Sequence, residues 1–163
     1  MLRFLAREGW DVTGFDVSQE AVRRANDTAR RSRLSIHAMH STSEAFDYGT
    51  DRWDLLVLCY AWAPVSNPAF VVRLKQSLKL GGLFVFEHYL HDGPTAAPKA
   101  AGAPDSAELA KLFSNFAILR YEELADVPDW EPPFGASKAP RLVRMIAKKP
   151  ALASACSHIL SCD

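Results

Sequence analysis

What most constrains this chain is an alternation of short apolar runs with helical repeats, anchored on the run from Trp53 to Cys59. That run, WDLLVLC, is apolar at every position except Asp54, as a strand covered on both faces should be. Three more runs predict strands: Trp10 to Asp16 (WDVTGFD), Leu34 to Met39, and Leu83 to Leu90 (LFVFEHYL). Between them the period changes. Ser18 is placed to cap a helix with Gln19 and Glu20 in its first turn, and Ala21, Val22, Ala25 and Ala29 make its apolar stripe. Asn67-Pro68 is an N-cap followed by proline at the first helical position, and Phe70, Val71, Leu74 and Leu78 give that helix a buried side, with Gly81-Gly82 expected to end it. Leu2, Leu5 and Ala6 at helical spacing before Gly9 read as the end of a helix over Met1 to Glu8.

The C-terminal third changes character. His91 to Pro104 is rich in Ala, Pro and Gly and reads as a surface loop. Asp105-Ser106-Ala107-Glu108 resembles a capping box, followed by a helix carrying Leu109, Leu112 and Phe113. Ala117 to Glu122 and Leu142 to Ala147 predict two last strands, joined by a loop holding Pro and Trp, and the tail from Ala151 to Asp163 has no clear period. The expected domain is therefore residues 1–150, with 151–163 unassigned. Strands alternating with helices argue for a doubly wound α/β sheet, the closing pair excepted. Ligands of such sheets bind beyond the carboxyl ends of the strands. The segments to weigh are thus Asp16 to Ser18, His40 to Glu44, Cys59 to Trp62 and Glu87 to His91.

Composition narrows the function. Of 163 residues 48% are hydrophobic, enough for one ordinary core, and the formal net charge is zero, so no global field favours nucleic acid or an anionic membrane. No apolar run approaches the roughly 18 residues of a membrane span, and charges break the N-terminal segment too early for a secretory signal. Cys59, Cys156 and Cys162 have no disulfide or zinc spacing, which makes a reducing cytoplasm the expected location.

Several longer stretches carry a resemblance. FLAREGWDVTGFDVSQEAVRRA looks like the first helix end, second strand and next helix of the class I S-adenosylmethionine-dependent methyltransferases. DRWDLLVLCY resembles their fourth strand, LKQSLKLGGLFVFEHY their helix, Gly-Gly turn and fifth strand, and FAILRYEELADVPDW with PRLVRMIAKKP their terminal antiparallel pair. The nearest likeness is to the small bacterial, tellurite-resistance-like type. The resemblance implies a Rossmann-like doubly wound sheet with a C-terminal antiparallel pair. It also implies a front that is missing, since the family's first strand and its glycine-rich loop should precede Met1. Two strands are then expected to close a gap or to leave ladder groups unpaired, at about 1–3 kcal/mol per buried orphan. A chain truncated at its N-terminus is the expectation, competent for methyl transfer only in a longer form.

The same resemblance implies S-adenosylmethionine as cofactor and roles for matching residues. Asp16 falls where the family accepts hydrogen bonds from the ribose hydroxyls, a task suited to a carboxylate. Val17 and Ser18 would lie beside the adenine. Thr42, Ser43 and Glu44 follow the third strand, where an acidic residue usually meets the adenine amino group; Thr42 takes that place here and Glu44 is the nearest carboxylate. Cys59 and Tyr60 would lie by the methionine part and the transferring methyl.

Blander roles compete for each residue. Asp16 also suits a turn carboxylate capping the helix at Ser18. Tyr60, Trp62 and Tyr89 line a small-molecule pocket or simply pack. His88 ends a strand at the ligand edge and is a candidate proton acceptor, although Glu87 and His88 point to opposite sides. His37/His40 and His88/His91 are each three apart, an odd offset that sends side chains to opposite faces of a strand, so no metal site is expected. Arg23, Arg24, Arg30, Arg31 and Arg33 read as a solvated helix face and Cys59 as a small hydrophobe. Methyl transfer needs mainly alignment of donor and acceptor, so no catalytic residue is singled out. Two other readings remain: an NAD-binding oxidoreductase fragment, since Asp16 also suits a dinucleotide ribose, and a non-catalytic interaction module that self-associates through an incomplete sheet.

Overall fold

A computed structural model describes residues 1–91, 103–126 and 140–151. Most of the Ala/Pro/Gly-rich stretch, the loop holding Trp130, and the tail with Cys156 and Cys162 lie outside them. The chain divides into two compact units, Met1–Asp47 and Tyr48–Asp163.

The first unit runs α1 (Leu2–Arg7), β1 (Val12–Asp16), α2 (Gln19–Ser32) and β2 (Ile36–His40). Ser18 caps α2 as its sequence position requires: its backbone is extended and its Oγ accepts the Ala21 N–H at 3.2 Å. On the exposed face Glu20, Arg23, Asp27 and Arg30 pair at spacings of three and four, which uses much of the helix's positive charge within the helix itself. The buried side is thin. Ala6, Val12, Ala29 and Ile36 form the core, with Leu2, Leu5 and Leu34 packed against it. β1 and β2 pair in parallel from Val12↔Ile36 to Asp16↔His40. Asn26 ties α2 to β2 through both halves of its amide, donating to the Ala38 carbonyl at 2.9 Å and accepting the Ala38 N–H at 3.0 Å.

The second unit runs β3 (Trp53–Cys59), α3 (Pro68–Ser77), β4 (Leu78–Tyr89), α4 (Glu108–Leu112), β5 (Ala117–Ala125) and β6 (Arg141–Lys148). Its sheet has the order β3-β4-β6-β5, with β3 parallel to β4 and the last two pairings antiparallel. The terminal antiparallel pair is the one the sequence predicts. Leu74, Leu78, Phe84, Leu109, Phe113, Leu142, Val143 and Met145 are fully buried. Phe84 and Phe113 stack with centroids 4.5 Å apart.

One boundary differs from the sequence reading. α3 ends at Ser77, and Gly81-Gly82 lies inside β4. Leu78 is buried as expected, but from extended backbone at ψ 137°. The last helical carbonyls are already taken, Gln76 by the Asp51 N–H and Ser77 by the Arg52 N–H, so the chain leaves the helix one turn early. The two glycines answer a different need. Gly81 has φ +79°, and a Cβ on Gly82 would stand 2.9 Å from the Lys79 carbonyl and 3.1 Å from that of Trp53.

β1 is paired on one side by β2, and β3 on one side by β4; neither has a second ladder partner among the described residues. No helix among them is long and apolar enough to cross a membrane.

Candidate functional site

In the first unit the candidates gather at the carboxyl ends of β1 and β2, because a parallel register sets Asp16 opposite His40. Asp16 Oδ1 accepts the Ser18 N–H at 2.8 Å, the local turn role, while Oδ2 has no hydrogen bond among the described residues. Both roles weighed for this carboxylate are therefore compatible: one oxygen holds the turn and the other can accept a ligand hydroxyl. Val17 is 67% exposed. Its carbonyl accepts from His40 Nε2 at 3.0 Å, and the Ser41 N–H donates to the Asp16 carbonyl, so the two strand ends are tied together. Beyond them Thr42 Oγ1 accepts the Ala45 N–H, and the buried Ser43 hydroxyl donates to Glu44 at 2.9 Å. Thr42, Ser43 and Glu44 are thus all engaged in shaping the loop, Thr42 and Glu44 at its exposed surface.

In the second unit Cys59, Tyr60, Trp62, His88 and Tyr89 sit at or after the carboxyl ends of β3 and β4. Tyr60, His88 and Tyr89 come together: the Tyr60 ring lies 5.3 Å from that of Tyr89, edge-on, and 5.9 Å from that of His88. Trp62 is 76% exposed in the loop after β3. His88 is only 5% exposed, with its Nδ1 3.2 Å from the Tyr89 carbonyl, and burial lowers its pKa so that the neutral ring is favoured. His91 pairs instead with Asp105 at 2.8 Å, and His37 faces Asp11 while His40 faces Val17, so neither histidine pair converges.

Against known families, residues 1–82, half of the chain, match the model of a methyltransferase domain. The chain belongs to the methyltransferase-domain family. Over 82 residues it is 32% identical to the ubiquinone biosynthesis O-methyltransferase of Roseobacter denitrificans, a match covering 50% of this chain and 33% of that protein. Its fold is that of TehB from Haemophilus influenzae, with a TM-score of 0.72 at 18% identity, over 90% of this chain and 52% of that one. A S-adenosylmethionine-dependent methyltransferase from Methanosarcina mazei gives 0.64 at 18% identity, over 91% and 86%. The chain thus spans about a third of the curated relative and about half of TehB. The Rossmann-like α/β fold and the family's cofactor, S-adenosylmethionine, are those the resemblance implied.

For a methyltransferase domain the second cluster contains two residues the sequence reading did not single out as site residues. Glu87 Oε1 accepts the Tyr60 hydroxyl at 2.7 Å, and its Oε2 accepts Arg144 Nε at 2.6 Å. Arg144 also pairs with Asp126 at 3.0 Å. Strand alternation allows at most one of Glu87 and His88 to face a pocket. The alternation is real, but it is the Glu87 side that reaches Tyr60. Arg144 carries no local signal, because only the antiparallel register of β4 and β6 sets it against a residue 57 positions earlier. Burial pushes the Cys59 thiol up to about 11, and the Glu87 charge adds to it, so this thiol is protonated at neutral pH. Burial and the bond to Glu87 likewise hold the Tyr60 phenol well above its ordinary range.

Proposed function

We propose that this chain is the cofactor-binding part of an enzyme that transfers a methyl group from S-adenosylmethionine to a small molecule. The observation that carries the reading is the exposed Val17 beside an Asp16 carboxylate with one oxygen uncommitted, at the joined ends of two parallel strands. Those features fit the cofactor's nucleoside: Asp16 Oδ2 accepts from the ribose hydroxyls and Val17 lies against the adenine. Ser18 and the Thr42–Glu44 loop border the base, with Glu44 the acceptor nearest its amino group. Cys59 and Tyr60 flank the methionine part, and Trp62, His88 and Tyr89 border the acceptor. When bound, S-adenosylmethionine supplies an electrophilic methyl on a sulfonium, and the protein's work is to orient donor and acceptor and exclude water. The names of two relatives, an O-methyltransferase and the 1,6-didemethyltoxoflavin N1-methyltransferase of Burkholderia thailandensis, support a small-molecule acceptor.

Equilibrium dialysis of the chain with S-adenosylmethionine and with NAD tests this directly. S-adenosylmethionine should be retained in preference to NAD, and Asp16→Ala should weaken it by roughly 10- to 100-fold, the worth of a charged hydrogen bond. Retention of NAD alone would overturn the reading.

The edges of β1 and β3 that have no ladder partner among the described residues favour a second reading, in which copies of the chain associate by strand pairing. Light scattering that showed a monomer over the micromolar range would remove it.

A further inference from the structure

One peptide group where β1 passes into α2 is held at both ends by side chains. The Val17 carbonyl lies past the last ladder pair of β1, and ahead of Ser18, whose carbonyl accepts the first helical bond from Val22. It accepts instead from His40 Nε2, at the end of β2, at 3.0 Å. The N–H of the same peptide group, that of Ser18, donates to Asp16 Oδ1 at 2.8 Å. Asp16 and His40 stand opposite each other in register, and the Ser41 N–H closes the junction on the Asp16 carbonyl at 3.1 Å. His40 is exposed, so its bond adds little to the stability of the unit, and its removal should leave the unit folded.

A carbonyl oxygen can only accept, so His40 meets Val17 with the proton on Nε2. A donor on the carbonyl draws electron density towards oxygen and makes the N–H of the same amide a stronger donor. The two bonds therefore reinforce each other and fix the plane of the peptide group. Fixing that plane fixes Asp16 Oδ1, and because a carboxylate is planar, Oδ2 is then aimed in one direction. We infer that His40 is a positioning residue which, through the Val17–Ser18 peptide, aims Asp16 Oδ2 at the ribose hydroxyls of the cofactor without touching them itself. The role belongs to the pair of strand ends, since only the parallel register of β1 and β2 brings His40 to a carbonyl 23 positions earlier. This inference rests on the reading of the β1 and β2 ends as a nucleoside-binding surface.

The test is calorimetric titration of the full chain with S-adenosylhomocysteine. His40→Ala should weaken binding by about three- to tenfold, the worth of one hydrogen bond, with the unfolding midpoint unchanged. His40→Gln, whose amide can donate to the same carbonyl, should recover affinity to within about twofold of the wild type. Added to Asp16→Ala, His40→Ala should cost less than about twofold more, because the residue it acts through is gone. Unchanged binding in a folded His40→Ala, or losses that simply add in the double variant, overturns the positioning role and leaves the nucleoside reading standing. If His40→Ala fails to fold, the wild type decides, with histidine labelled at the ring nitrogens and His40 assigned from His40→Gln among five histidines. The neutral ring should carry its proton on Nε2 throughout the titration, and a proton on Nδ1 overturns the role. A wild type that binds no S-adenosylhomocysteine overturns the nucleoside reading and the role of His40 with it.

Discussion

Cys59 ends β3 beside Glu87, and both its burial and that carboxylate disfavour the thiolate. Raised to about 11, the thiol should alkylate very slowly at pH 8, as followed by mass spectrometry of the peptide containing it; fast labelling there would contradict the packing. The sign for stability follows. Because the folded state holds this proton more tightly than the ordinary value of 9.0, the contribution is complete below that pH and is lost as pH rises towards 11. Residue roles were legible in the sequence where the chemistry is local. Asp16 and Ser18 are two apart and build one turn, so the residue types alone announce it. Glu87 and Arg144 meet only through strand register, and no spacing rule reaches across 57 residues.

Among the elements, β4 is the one most dependent on its glycines. A Cβ at Gly82 would press on two carbonyl oxygens, which are backbone and cannot swing aside. Gly82→Ala should therefore lower the unfolding free energy by about 1–3 kcal/mol in a denaturant titration. Gly9→Ala meets nothing within 4 Å and should cost about 1 kcal/mol, from φ +88° alone. Equal effects would refute this contrast. Asn67 caps α3 by accepting the Ala69 N–H at 2.9 Å, and Asn67→Ala should cost about 1 kcal/mol. Element types were readable because apolar periods of two and near four differ plainly in this chain. The end of α3 was not, since Gly-Gly serves as well to let two backbones approach as to stop a helix, and only the neighbouring carbonyls decide.

At the scale of the molecule, the two units are unequally built. The first buries Ala6, Val12, Ala29, Ile36 and Phe46, none of them completely, beside a two-stranded sheet; the second buries phenylalanines and leucines completely on a four-stranded one. Hydrogen exchange should find the amides of β1 and β2 opening at lower free energy than those of β4 and β6, whereas uniform protection would contradict that ranking. Phe113→Ala, removing a ring stacked on Phe84, should cost about 3–5 kcal/mol in the second unit. The fold class was legible because strand and helix signals alternate in order through residue 90. The division of the strands between two sheets was less so, because it depends on which edges find partners.

The central claim is that the carboxyl ends of β1 and β2 form the nucleoside-binding surface of a methyltransferase domain. The measurement that tests it most directly is an amide chemical-shift map of the chain titrated with S-adenosylhomocysteine and, separately, with NAD. The expected result is a saturable response to S-adenosylhomocysteine at Asp16 to Ser18 and Thr42 to Glu44, with NAD inert. A saturable response to NAD at those positions without one to S-adenosylhomocysteine, or shifts gathered elsewhere, would contradict it.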